Sequence, residues 1–250
     1  MMEDRIRRYE EIRQEYQSTV VDRFDPDDFA AYNENLFTAH SCAIEGNSFS
    51  VDDTRALKEH GLSLKLQNKS LYEAYEILDH FNAYAYAMAR LDRPLTEDFL
   101  KSIHFHVTEH TIGYRLGAVP GEYTDTDMAA GDTMFGDHEA NIARVPQLLQ
   151  STQDALERDL DHPMALAAKF HFYFIYLHPF RDGNGRVARL VSNFILAKKG
   201  HPSLIVPSDR KNKYIDSLRS SKKHRDFTPI VSFFFETAID RIWKFGDLEI

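Results

Sequence analysis

His178-Pro179-Phe180-Arg181-Asp182-Gly183-Asn184-Gly185-Arg186-Val187-Ala188-Arg189 is the stretch on which the reading of this chain turns. It joins two helical patterns. Upstream, Asp161-His162-Pro163 opens a helix over Met164 to Leu177 that is apolar nearly all round, which marks the buried centre of a fold. Downstream, a second helix runs from Arg186 to Lys199, with Gly200 placed to cap it.

The junction has its own chemistry. Glycine and asparagine tolerate positive φ, so the N–H groups of Gly183, Asn184 and Gly185 can converge while the next helix presents its positive N-terminus. Such a nest wants an anion. Arg186 and Arg189, three apart, share a helix face and can add bidentate contacts to phosphate oxygens. Asp182 beside bound phosphate calls for a hard cation, and Mg²⁺ commonly takes one carboxylate plus substrate phosphates. At the opposite rim His178, with an ordinary pKa of about 6.5, can take a proton from an attacking hydroxyl near neutral pH. Each part alone has a plain structural explanation as a turn former, a hydrogen-bonded histidine or a solvated arginine. Together they describe a centre for nucleotide phosphoryl or nucleotidyl transfer.

Outward from this loop, helical spacing dominates. Asp25-Pro26 reads as an N-cap and first turn, with Phe29, Tyr32, Leu36, His40 and Ile44 recurring until Gly46. Ser50 with Asp53 and Ser70 with Glu73 read as capping boxes, the first opening a short helix closed by Gly61. The second opens a long helix whose expected buried stripe is Leu71, Ala74, Tyr75, Leu78, Phe81, Ala85 and Met88. Thr96 opens a helix to about Thr108, and further helices fit 142–156, 209–220 and 228–243. Between Thr111 and Gly136 the helical signal gives way to glycines, as expected of a functional loop with a short hairpin.

Composition bounds the class. The 250 residues carry 30 Lys+Arg against 39 Asp+Glu, a net charge of −9, and 43% are hydrophobic, enough for one sizeable core. The acidic balance makes a nucleic-acid partner an unlikely reading, because phosphate-backbone binders need a basic face. A single cysteine, Cys42, excludes an intrachain disulfide. A cytoplasmic protein with no signal peptide and no membrane span is expected.

The string 178–189 matches, without a gap, His-x-Phe-x-(Asp/Glu)-Gly-Asn-Gly-x-x-x-Arg, and on these residues the chain resembles the Fic (Fido) family. The resemblance implies an all-α, Fic-type helical bundle with a small hairpin or flap inserted before the catalytic helices. It also implies a protein adenylyltransferase that moves AMP from ATP onto a hydroxyl side chain of a target protein. On that reading His178 is the base and Asp182 holds Mg²⁺. Gly183, Asn184 and Gly185 cradle phosphates, Arg186 binds the phosphate chain, and Phe180 anchors the loop. Tyr214 is a candidate for the adenine pocket.

A second segment, Ser41-Cys42-Ala43-Ile44-Glu45-Gly46-Asn47, resembles the family's inhibitory motif, (Ser/Thr)-x-x-x-Glu-(Gly/Asn). Glu45 stands at the C-terminal end of a helix, where the macrodipole disfavours a carboxylate, so a cationic partner is expected. The resemblance supplies Arg189, which the γ-phosphate needs, as that partner. The chain is thus expected to be one Fic-like domain over 1–250. Its N-terminal region, 1–60, contains an inhibitory helix at about 26–45, and 61–250 forms the core. Thr124 follows Pro120-Gly121-Glu122-Tyr123 where relatives often carry Arg, and the flap is placed within Asp125 to Phe135. The winged-helix domain that follows in many relatives is not expected before Ile250. Competing readings are a deAMPylase or bidirectional enzyme using Glu45, and a non-catalytic nucleotide sensor. The expected partners are ATP and an unknown target protein, and a homodimer is compatible with the sequence.

Overall fold

The computed structural model describes residues 2–246, except 64, 66, 67 and 132. The chain runs through α1 (Met2–Thr19), α2 (Pro26–Glu45), α3 (Val51–His60), α4 (Leu71–Met88), α5 (Glu97–Thr108) and α6 (Ile112–Leu116). A hairpin of β1 (Ala129–Ala130) and β2 (Thr133–Met134) follows, paired antiparallel with Ala129 opposite Met134. Then come α7 (His138–Ile142), α8 (Val145–Glu157), α9 (Pro163–Leu177), α10 (Asn184–Lys198), α11 (Lys211–His224) and α12 (Thr228–Gly246). The fold is all-α with one small hairpin ahead of the central pair.

Local chemistry sets the helix starts. The Asp25 carboxylate accepts from the N–H groups of Asp27 and Asp28, with Pro26 in the first turn. Ser50 with Asp53 and Ser70 with Glu73 close reciprocal capping boxes, and Thr96 accepts from the Phe99 N–H. The core is built on α9 and α10, which pack along their length and bring together Phe170, Phe174, Phe180 and Phe194. α4 and α5 cover one side of this pair, and α12 with α8 covers the other.

Two expectations are corrected here. The N-terminal segment forms a helix that sequence reading did not place, since α1 is strongly polar and buries only Tyr9 and Tyr16. Tyr9 sets its ring edge-on against Phe235 and holds α1 onto α12. The buried face of α4 is also not the expected apolar stripe. Leu71 is 53% exposed, whereas Glu76, Asp79 and His80 are buried. The reason is that α4 is enclosed by α2, α5 and α10, and Asp79 and His80 find partners on the segments around it. Asp79 accepts from the backbone N–H and ring Nδ1 of His110, and His80 Nδ1 bonds Thr38 Oγ1 at 3.0 Å. Among the described residues no helix is long and apolar enough to cross a membrane.

Candidate active site

The α9–α10 junction is a tightly tied loop. α9 ends on His178, whose backbone takes the left-handed conformation (φ +47°, ψ +55°) while its N–H closes the last turn on the Phe174 carbonyl. A non-glycine residue held there is strained, and such strain persists only where surroundings enforce it. Phe180 is fully buried and stacks face to face on His104, 3.7 Å between ring centroids. The Asn184 amide completes the tie, its Nδ2 donating to the Phe180 carbonyl and its Oδ1 accepting the Phe180 N–H. Gly183 has φ +76°, and a Cβ on it would stand 2.9 Å from Thr108 Cγ2. Only glycine fits both demands.

His104, on α5, is the bolt beneath this loop. Its Nδ1 accepts the Gly121 N–H at 2.9 Å, so its Nε2 carries the proton and donates to the Asp182 carbonyl at 3.1 Å. Burial lowers its pKa to about 3, which keeps the bridging ring neutral. The Thr124 N–H adds a bond to the Pro179 carbonyl, tying the root of the hairpin to the same loop.

The His178 ring has a defined tautomer. Its Nδ1 lies 3.2 Å from the Ile175 carbonyl, an acceptor only, so the proton resides on Nδ1 and Nε2 keeps its lone pair. Burial pushes the pKa below the ordinary histidine value, against the pull of the Ile175 bond and of the Glu45 and Asp182 carboxylates.

Two arginines line the first turns of α10. Arg186 is 1% exposed, with Nη1 3.2 Å from Glu76 Oε1 and Nη2 3.6 Å from Asp182 Oδ1. Burial alone would lower its pKa, but Glu76 and Asp182 outweigh that and it is raised, so the charge is retained. Its Nε has no hydrogen-bond acceptor, and Nη1 meets Glu76 as an ion pair without an aligned hydrogen bond. Unfilled guanidinium donors on a fully buried side chain are an anion site in waiting. Glu76 is itself held by Asn47, whose Nδ2 donates to Oε2 at 3.0 Å.

Arg189 is engaged through Nε and Nη2. Nε donates to Ser41 Oγ at 3.0 Å, and Nη2 donates to the Ser41 carbonyl at 2.8 Å and to Glu45 Oε1 at 2.7 Å. Ser41 and Glu45, four apart, share the face of α2 that meets α10. Gly46 (φ +107°) then ends α2. The Glu45 carboxylate lies against Gly185, close enough that an added Cβ would collide with Oε1. The acid therefore stands over the nest that the glycines form.

The structure thus brings Ser41, Glu45, His178, Asp182, Gly183, Gly185, Arg186 and Arg189 to one place, and separates two residues from their expected roles. The Asn184 side chain turns inward to staple the loop and offers nothing to a ligand. Tyr214 is 2% exposed, its hydroxyl 2.6 Å from His171 Nε2 behind Arg189. A ring without an open face cannot stack on adenine. Asp182 fits a divalent cation in part. Its carboxylate is about one-third exposed, and its Oδ1 already accepts the Gly183 N–H. It would supply a single hard ligand, leaving the rest of the shell to phosphate oxygens and water. Sequence reading missed His104 as a site residue because a histidine on an apolar helix face reads as core.

Comparison with known proteins places the chain in a family. Residues 94–196 match the model of the Fic/DOC family. The Protein adenylyltransferase Fic of Nematostella vectensis is 32% identical over 213 residues, covering 81% of this chain and 46% of that protein. A Fic domain containing signaling protein from Bacteroides thetaiotaomicron superposes with a TM-score of 0.82 at 23% identity, over 94% of this chain and 93% of the other. A Fic family protein from Desulfovibrio desulfuricans gives 0.76 at 25% identity, over 97% and 73%. The chain belongs to the Fic/DOC family. It spans less than half the length of the curated relatives it matches.

Proposed function

We propose that this chain is a protein adenylyltransferase that moves AMP from ATP to a hydroxyl group of another protein and is held in check by its own Glu45. The observation that carries the reading is the His178 ring, with Nδ1 committed to Ile175 and Nε2 unprotonated, at the rim of a loop whose buried Arg186 has unfilled donors. In this reading the target hydroxyl gives its proton to His178 Nε2 as its oxygen bonds to the α-phosphorus. The bond from that phosphorus to the β-phosphate bridging oxygen breaks, and pyrophosphate leaves. The backbone of 183–185 and Arg186 bind and orient the phosphate chain. Asp182 would hold Mg²⁺, which supplies charge neutralisation on the phosphates when bound.

The Ser41–Arg189–Glu45 contacts support a brake. They occupy the guanidinium that a γ-phosphate needs, and they set a carboxylate where a phosphate oxygen would sit, so repulsion drives ATP into an unproductive pose. With Mg²⁺ and ATP labelled at the α-phosphate, wild type incorporates little label. Glu45→Gly raises incorporation by about tenfold or more, given that contacts to charged groups are worth about 1.5–3 kcal/mol. Adding His178→Ala abolishes it. No label from Glu45→Gly, on itself or in a lysate, contradicts the proposal. Release of AMP from a modified protein by wild type and not by Glu45→Gly assigns the reverse reaction to the same residues.

A further inference from the structure

The imidazole of His178 is fixed by one hydrogen bond, from Nδ1 to the Ile175 carbonyl. A single bond sets the tautomer and one in-plane direction, and does not by itself fix the tilt of the ring plane. The second constraint comes from the hairpin. The Phe135 ring lies 3.8 Å from the His178 ring, centroid to centroid, and 12° from parallel. Offset or parallel aromatic contacts of this kind are worth about 0.5–1.5 kcal/mol beyond the area they bury.

Phe135 is itself placed rather than loose. Its N–H extends the hairpin ladder to the Met128 carbonyl at 3.0 Å, and its carbonyl accepts from Asn141 Nδ2 at 2.8 Å. The two ends of the segment are clasped by Asp127, whose Oδ1 accepts both the backbone N–H and the ring Nδ1 of His138. The hairpin backbone thus arrives over the loop in a set register, and the residue it delivers onto the imidazole is an aromatic one.

We infer that Phe135 is a positioning residue for His178: stacked on the ring from the hairpin, it holds Nε2 on the line along which the incoming hydroxyl must be deprotonated. The inference rests on the transferase reading for its kinetic consequence and not for its structural one. Misplacement of a reacting group by about 1 Å costs on the order of 10²-fold in rate.

The test has two arms, each on the full chain. In histidine-labelled protein, the carbon-bound protons of the His178 ring, assigned by loss in His178→Ala, feel the ring current of Phe135 and resonate upfield. Phe135→Leu, which keeps apolar bulk without a π-face, moves them downfield toward the positions of unstacked histidines. Phe135→Trp retains the upfield shift. In the Glu45→Gly background, Phe135→Leu lowers kcat by about tenfold or more with KM for ATP unchanged, and Phe135→Trp restores most of it. Unmoved His178 resonances in Phe135→Leu overturn the inference, as does an unchanged kcat once the ring current is lost. If no variant transfers label at all, the transferase reading fails, and the resonance arm alone decides where the imidazole is held.

Discussion

At His178 the carbonyl of Ile175 and the burial of the ring act on different properties of one imidazole. The first selects the tautomer and the second lowers the pKa below about 6.5, so the neutral form persists into mildly acidic solution. The acid limb of the pH–rate profile of Glu45→Gly therefore has its midpoint below 6.5. Removal of the Glu45 charge, which raises the His178 pKa, takes it lower still. A midpoint at or above 6.5 contradicts this. Gly183 offers a second test. Alanine there meets both the left-handed backbone and Thr108 Cγ2, a combination worth about 1–3 kcal/mol. Thermal unfolding should drop by about 2–4 °C for each kcal/mol in a chain of this size, and an unchanged Tm refutes the steric argument.

At the level of elements, α2 presents Ser41 and Glu45 to Arg189 one turn apart, so the clamp has two grips. Ser41→Ala removes the Oγ grip and leaves the carboxylate and the residue-41 carbonyl, and its labelling activity should fall between wild type and Glu45→Gly. Activity equal to wild type means that the hydroxyl contributes nothing to the clamp. These elements were largely legible in sequence, because caps and the 178–189 string are local. The bounds of α2 and α5 follow from Asp25-Pro26 with Gly46 and from Thr96. What stayed hidden depends on neighbours far along the chain. The inward turn of Asn184 could not be read from its place between two glycines. Nor could the enclosure of Tyr214 by His171, or the service of His104 to both Gly121 and Asp182. The polar face of α4 was obscured for the same reason, since its partners Thr38 and His110 lie on other segments.

The whole molecule carries its histidines unevenly. Burial lowers the pKa of His104 and His171 to about 3 and of His201 to about 4, and holds His80 well below its ordinary value. An unfolded chain protonates these rings near 6.5 and so binds more protons than the folded one below that pH. Their contribution to stability is thus complete above about pH 6.5 and is lost as the pH falls toward 3. The urea midpoint should begin to decline near pH 6.5, above the carboxylate range, and continue through pH 4. A flat profile between pH 7 and 5 rules this out.

The contact of Ser41 and Glu45 with Arg189 joins positions 148 and 144 residues apart. Synthesis proceeds from the N-terminus, at roughly 5–20 residues per second. The helix bearing the acid has left the ribosome long before the guanidinium is made. On the proposed reading, the acid is therefore already present when the loop first closes, and the contact can form at that moment.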